Sequence, residues 1–394
     1  MEIKSIVQIS VLASATFPLI TFAAAFDRTG QPITDFLQDG DYASLSYSYT
    51  KTSISGKDTG LNNGGHPNNV PNIANNIDGF RASYKTRVNN KWNIGLLYDQ
   101  PFGSDTEHTG DSDFVSKYQD GHSEGTKAYL HSQSITGLLG YNLNPNFQLY
   151  GGASYQELKG SIKLRGQIYK NVADYNGETH TNGAWGWVTG ISYKKPELGL
   201  KTSLTYRSEI EHNANTIETF NAISTNSFIN KSLFTTPQSV NFDFQMGLNK
   251  TTLLLANLRW VDWSAFEYKP VALANKTKSI KNPEGLALLN LHKDQLSAQL
   301  GVAKRILPKV VLSSSVNWDS GLGEPANALG PVAGAWGVGF GIQYDLTKQW
   351  ALSLGGRYTW LGDAQAARQN GDIVGDFSGN DAMTVGLKLS YQAK

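Results

Sequence analysis

LKTSLTYRSEIEH, residues Leu200–His212, is the most informative part of the sequence for the fold, because apolar and polar side chains alternate along it. Successive side chains of a β-strand point to opposite faces, so this strand has one apolar face and one that carries charge. In a transmembrane barrel the apolar face meets lipid and the polar face meets the lumen. We therefore predict that Arg207 and Glu209 point into the lumen, where they form a polar network.

Three segments near the C-terminus repeat this pattern. They read AWGVGFGIQYD (Ala335–Asp345), WALSLGGRYTW (Trp350–Trp360) and MTVGLKLSY (Met383–Tyr391). Their apolar rows end in Trp or Tyr, as expected for the aromatic girdles at the two membrane interfaces. The alternative is a large soluble antiparallel barrel, but its apolar rows would then need a core of matching size.

The spacing of the strands points the same way. From about Ala43 onward the sequence contains about fourteen strand-like segments, joined alternately by six short turns and seven long loops. Outer-membrane barrels have an even number of antiparallel strands, with short turns at one end and longer loops at the other. We predict an all-β protein in which residues 43–394 form a transmembrane antiparallel β-barrel.

The N-terminus predicts export. Residues 1–25 contain an apolar stretch followed by Ala23, Ala24 and Ala25, which is typical of a cleaved signal peptide. An N-terminal anchor helix is the alternative, although Pro18 interrupts the stretch. Beyond residue 25 no run approaches the roughly 20 apolar residues of a spanning helix, so a closed barrel is the remaining way to cross a membrane. The predicted location is the bacterial outer membrane.

Composition excludes several other classes of protein. The 394 residues carry a net charge of +1 with no basic domain, which argues against nucleic-acid binding. The absence of cysteine excludes disulfides and thiolate metal sites. The seven histidines show no metal-binding spacing, and no Gly-x-Ser-x-Gly motif is present. We expect no catalytic activity, no metal and no cofactor.

Four segments, taken in this order, resemble the FadL-type family of outer-membrane transporters of long-chain fatty acids and other hydrophobic molecules. They are AWGWVTGISYKKPELGLKTSLTYRSEIEH (Ala184–His212), RWVDWSAFEYKP (Arg259–Pro270), KDQLSAQLG (Lys293–Gly301) and WDSGLGEPAN (Trp318–Asn327). The resemblance extends, with gaps, from about Ile77 to the C-terminus. It implies a fourteen-stranded barrel, a lumenal plug and lateral release of the ligand through a gap at the third strand.

The sequence of the third strand, WNIGLLYDQPFGSD (Trp92–Asp105), itself predicts a break in the strand. Pro101 cannot donate a ladder hydrogen bond and Gly103 favours a bend. Pro101, Phe102 and Gly103 are therefore predicted to form the lateral gap. Alternatively, Pro101 merely ends the strand near its outer rim.

The resemblance also implies a cationic site for a ligand carboxylate, since arginine holds carboxylates by two hydrogen bonds. Arg165 is the best match, followed by Lys163, and Lys293 matches the family's Lys-Asp pair. The alternative for Arg165 is a lumen charge paired with Glu157 or Glu209.

The plug implied by the resemblance is short in this chain. Residues 26–42 form the predicted plug segment, which is shorter than that of the family. Within it, Phe26 and Arg28 are expected near the ligand.

We therefore expect an uptake channel for long-chain fatty acids or similar hydrophobic molecules. The expected partners are this ligand, outer-membrane lipid and lipopolysaccharide, for a chain that acts as a monomer. The alternative is a general diffusion porin for small polar solutes.

Overall fold

The structure is a computed structural model, and it describes residues 26–220, 227–280, 282–368 and 371–393. The predicted signal peptide, residues 1–25, lies outside the described residues. Among the described residues, no helix combines the length and the apolar character needed to cross a membrane.

Fourteen antiparallel strands form one closed sheet, which confirms the predicted barrel. The first strand pairs with both the second and the last, and this closes the barrel. The strands are β1 (Asp41–Ser53), β2 (Ile77–Arg87), β3 (Trp92–Asp99 and Gly103–Glu107), β4 (Lys127–Asn142), β5 (Phe147–Lys163), β6 (Asn176–Lys195), β7 (Leu200–Arg207 and Ile210–Thr219), β8 (Phe228–Thr236 and Ser239–Asn249), β9 (Thr252–Val261), β10 (Gln295–Leu307), β11 (Val310–Asp319), β12 (Ala335–Asp345), β13 (Trp350–Leu361) and β14 (Asp381–Ala393).

The long loops carry small elements of their own. Within the described residues these loops contain one α-helix, α1 (Val271–Thr277), and 3₁₀ turns at Gln167–Val172 and Trp263–Ala265. A further 3₁₀ turn, Pro196–Leu198, lies in the short turn between β6 and β7. Short loop strands are Gly56–Asp58, Asn69–Val70, Val115–Lys117, Ser123–Gly125, Glu267–Tyr268, Leu289–Asn290, Ala326–Asn327, Ala364–Ala367 and Ile373–Phe377.

The barrel wall follows the predicted alternation. On β14 the apolar side chains are exposed on the outside and the polar ones are buried inside. The exposed row is Met383, Val385, Leu387 and Leu389, and the buried row includes Thr384, Lys388 and Ser390. An apolar outer face suits lipid, where a charge at mid-depth costs about 2–4 kcal/mol.

Strands β6, β7 and β8 extend much further than the sequence indicated. The pattern of the sequence predicts long loops at 166–183 and 213–238. Both predictions are wrong in extent, because β6 begins at Asn176 and β7 continues to Thr219. At the end of β5, apolar side chains turn inward beneath the loops. The resulting core contains Ile162, Leu164, Val172, Tyr175, Leu273, Leu288 and Leu329. Loops rather than lipid cover this apolar surface. Here the apolar side chains face inward and the polar ones face outward, which is the reverse of the pattern along the rest of the wall.

Candidate functional site

An N-terminal segment, residues 26–40, lies inside the barrel. Ile33 and Phe36 are fully buried there and pack against inward side chains of β3, β4, β5 and β6. Gly95 makes room for the ring, since a Cβ at this position would lie 2.5 Å from Phe36 Cδ2. The wall is therefore shaped to receive this segment.

Ion pairs hold the same segment to the wall. The Asp27 carboxylate lies 2.7 Å from Arg259 Nε on β9, and the Asp35 carboxylate lies 2.8 Å from Lys388 Nζ on β14. Further along, Asp39 pairs with Lys194 and Lys201 at 2.9 and 3.0 Å. The segment supplies the acidic groups and the barrel supplies the basic ones.

Strand β3 breaks where the sequence predicted. Its ladder with β2 stops at the pair Ala82–Tyr98, and a single bridge joins Ala74 to Thr106 beyond the break. Between these points, positions 76–81 and 99–104 of the described chain share no backbone–backbone hydrogen bond. The wall therefore lacks the β2–β3 ladder at these positions, where the Phe80 N–H donates to the side chain of Gln100 at 2.9 Å.

The N-terminal segment pairs with this break from the inside. The N–H of Arg28 donates to the carbonyl of Pro101 at 2.7 Å, and the N–H of Gly103 donates to the carbonyl of Phe26 at 2.9 Å. The Phe102 N–H donates to Ser132 Oγ on β4. Because Pro101 has no N–H to offer β2, the segment rather than the neighbouring strand satisfies the backbone there.

Three of the cavities in the described part of the barrel are large enough or well enough placed to hold a ligand. An apolar upper cavity of about 80 Å³ is lined by Phe102, Leu158, Phe234, Trp263, Phe266 and Tyr268, among others. A gap cavity of about 100 Å³ lies beside the break in β3. A lower chamber of about 640 Å³, whose lining includes several charged side chains, lies at the end with the short turns. Phe26 and Ser104 line both of the smaller cavities, so the Phe26 side chain lies between them.

The upper cavity is almost purely apolar. No charged side chain is among its lining residues within the described chain. The hydroxyls of Tyr268 and Thr179 lie 2.6 Å apart, and Trp263 Nε1 donates to Gln295 Oε1 at 2.8 Å, which fixes the two rings. Such a cavity fits an apolar group with few polar contacts.

A loop with α1 covers the upper cavity from above. The buried Glu218 carboxylate on β7 accepts the N–H groups of Ala272 and Leu273 at 2.8 and 2.9 Å. Leu288 and Leu289 of the same loop line the cavity. The loop is therefore fixed to the barrel rather than resting on it.

The three predicted headgroup residues do not converge on one site. Arg165 is buried, and its guanidinium donates to Glu124 (2.7 Å), to the carbonyls of Leu164 and Tyr175 (2.9 and 3.0 Å), and to Asn176 (2.5 Å). Its acidic partner is thus Glu124, not Glu157 or Glu209.

Lys163 and Lys293 are the other two predicted headgroup residues. Lys163 is exposed and shares Glu124 with Arg165, at 2.5 Å. Lys293 is exposed and joins neither of them. A headgroup role for these residues stays a prediction.

A bulge in β7 places the side chains of Arg207 and Glu209 on different faces of the strand. Arg207 is buried and its Nη2 donates to the carbonyl of Gln31 at 3.3 Å. Because Ser208 and Glu209 interrupt β7, Ile210 is also buried and Glu209 is exposed. The prediction that Glu209 points into the lumen is wrong, since the bulge changes the face on which it lies.

Sequence reasoning missed the residues that shape the cavities. Asp27, Arg259 and the aromatic group Trp263, Phe266 and Tyr268 were not singled out as site residues. The run RWVDWSAFEY (Arg259–Tyr268) carried a usable signal, because a buried arginine beside several aromatic residues is unusual in a wall strand.

Comparison with protein families gives a match over nearly the whole barrel. Residues 39–393 match the family described as outer membrane protein transport protein (OMPP1/FadL/TodX). The chain therefore belongs to this family of transport channels. No curated protein sequence matches.

Solved structures share the fold at low sequence identity. A FadL homologue of Pseudomonas aeruginosa is 12% identical, with 92% of each chain covered and a TM-score of 0.69. The toluene transporter TodX of P. putida is 13% identical, with 90% of each chain covered and a TM-score of 0.62. The toluene transporter TbuX of Ralstonia pickettii is 12% identical, with 92% of each covered and a TM-score of 0.58.

Proposed function

We propose that this protein is an outer-membrane uptake channel for long-chain fatty acids or similar hydrophobic molecules. The ligand enters the upper cavity from the side of the long loops, passes Phe26, and leaves through the gap cavity between β2 and β3 into the bilayer. The observation that carries this proposal is the missing ladder between positions 76–81 and 99–104.

The chemistry of the cavities supports this route. Apolar lining favours an apolar ligand by roughly 25 cal/mol for each Å² removed from water. At about 80 Å³ the upper cavity holds a ring or a short alkyl segment, and a longer tail would extend into the gap cavity once Phe26 moves. The N-terminal segment across the lumen gives no support to the alternative of a diffusion porin.

Cross-linking the gap tests lateral release. Extending the β2–β3 register places Gly79 opposite Pro101, and the chain has no native cysteine. We expect that the double variant Gly79→Cys/Pro101→Cys, joined by a cleavable bis-maleimide, stops uptake of a fluorescent long-chain fatty acid into proteoliposomes. Uptake should return when the linker is reduced.

The matched control is Gly341→Cys/Gly355→Cys, a pair already joined in the β12–β13 ladder. The same linker there should leave uptake unchanged. Full uptake with the gap cross-linked would show that the ligand leaves by another way.

A further inference from the structure

We propose that Arg259 receives the carboxylate of a hydrophobic acid, and that the protein's own Asp27 occupies this position in the closed state. The inference rests on the proposed function and names its cargo as a carboxylic acid with an apolar body. It also assigns the headgroup position to β9 rather than to Arg165.

The contacts of Arg259 divide between the wall and the N-terminal segment. Its Nη1 donates to Asn241 Oδ1 at 2.5 Å and to Ser239 Oγ at 3.1 Å, both on β8. Its Nε donates to Asp27 at 2.7 Å and its Nη2 donates to Gln31 Oε1 at 3.2 Å. The wall thus fixes one end of the guanidinium, and the segment covers the Nε–Nη2 edge.

That edge is the one by which arginine binds a carboxylate through two parallel hydrogen bonds. When the segment moves, Asp27 and Gln31 leave together and both donors become free, while Asn241 and Ser239 keep the guanidinium in place. A buried guanidinium without an anion is unfavourable, so a replacement carboxylate is strongly preferred at this position.

The position lies next to the apolar cavity. Asp27 follows Phe26, whose ring centroid is 5.7 Å from that of Trp263 and 6.3 Å from that of Phe266. Phe26 lines the upper cavity and the next residue, Asp27, binds Arg259. We therefore expect that an acid whose apolar body takes the place of the Phe26 ring reaches Arg259 with its carboxylate. Entry of the carboxylate displaces Asp27, and with it the backbone pairing at Pro101 and Gly103, so ligand binding is coupled to opening of the gap.

Four other cations do not offer the same arrangement. Arg207 contacts the same segment, but its Nη2 donates to the backbone carbonyl of Gln31 and not to a carboxylate. Lys388 and Lys201 bind Asp35 and Asp39 further along the segment, beyond the aromatic rings, and lysine is a point charge without a bidentate edge. Arg165 has its Nε and Nη2 already engaged by Glu124 and Asn176. Arg259 has an edge that can bind a carboxylate through two hydrogen bonds, its acidic partner Asp27 can move away with the N-terminal segment, and an apolar cavity lies nearby.

Binding of a matched pair of probes tests the proposal. The acid is 3-phenylpropionate and its neutral analogue is 3-phenylpropan-1-ol, each titrated calorimetrically into the full-length protein in detergent. Asp27→Asn keeps the shape but removes the competing charge. We expect it to raise the affinity for the acid about tenfold, as a charged hydrogen bond implies, and to leave the affinity for the alcohol unchanged.

Three comparisons isolate the effect. Asp111→Asn, in an exposed loop pair with Lys117, and Arg165→Ala should leave the ratio of the two affinities as in the wild type. Adding Arg259→Gln to Asp27→Asn should abolish the gain. If Asp27→Asn changes both affinities equally or neither, Arg259 is not the carboxylate site, although uptake through the gap would stand. If neither probe binds any variant, the proposed function itself fails.

Discussion

Arg259→Leu should release the N-terminal segment from the barrel. Asp27 and Arg259 are both almost completely buried, and removing one partner of a buried ion pair costs about 3–5 kcal/mol, because the other charge is left without compensation. We expect rapid hydrogen exchange over residues 27–31 and cleavage of the segment by a protease added to the detergent-solubilised protein. The barrel ladder itself should persist.

Two further variants show that the charge, not the lost volume, is responsible. Asp27→Leu/Arg259→Leu should recover most of the protection, since an apolar pair can replace a buried ion pair at little cost. Lys127→Leu breaks a partly exposed pair with Glu107 and should cost only about 0–1 kcal/mol. Wild-type exchange in Arg259→Leu would mean that the pair does not anchor the segment.

Acid should destabilise the folded long loops around His108. His108 is buried in these loops, with its ring stacked on Phe114 at 4.2 Å, and burial lowers its pKa to about 3. The pKa of His108 in the unfolded chain is near 6.5. Above pH 6.5 the histidine is neutral in both states and the folded loops keep their full stability. As the pH falls from 6.5 toward 3, the unfolded chain binds a proton that the folded loops do not, and this stability is lost. At pH 4.5 the loss is about 3 kcal/mol.

Hydrogen exchange of the loops at pH 7 and pH 4.5 measures this effect, after correction for the intrinsic exchange rate. His108→Phe should remove most of the acid sensitivity, whereas His122→Gln, at an exposed position in the same loop, should retain it. Equal acid sensitivity in wild type and His108→Phe would assign the effect to other groups.

The barrel was predictable because lipid imposes one simple rule on every strand. Residues that face hydrocarbon are apolar, so alternation reveals both the strands and their orientation. The rule ends beneath the long loops, where Leu158 and Ile162 of β5 are apolar but face inward. The bulge at Ser208 and Glu209 leaves no mark in the alternation of side chains, which explains the wrong placement of Glu209.

The site was only partly predictable, and for a different reason. The break at Pro101 follows from local chemistry, because proline lacks the N–H that a ladder requires. The Asp27–Arg259 pair joins residues 232 positions apart, and no local pattern connects them. The family resemblance points to Arg165 as the headgroup residue, but its partners come from a loop and from the next strand, which the resemblance does not show.

Anomalous diffraction from crystals grown with bromobenzene would test most directly whether a hydrophobic ligand binds inside the barrel. Lateral uptake predicts bromine density in the upper cavity among Phe102, Trp263 and Tyr268, or in the gap cavity beside Gly103. Bromine density found only in the lower chamber, or only on the outer wall, would contradict it.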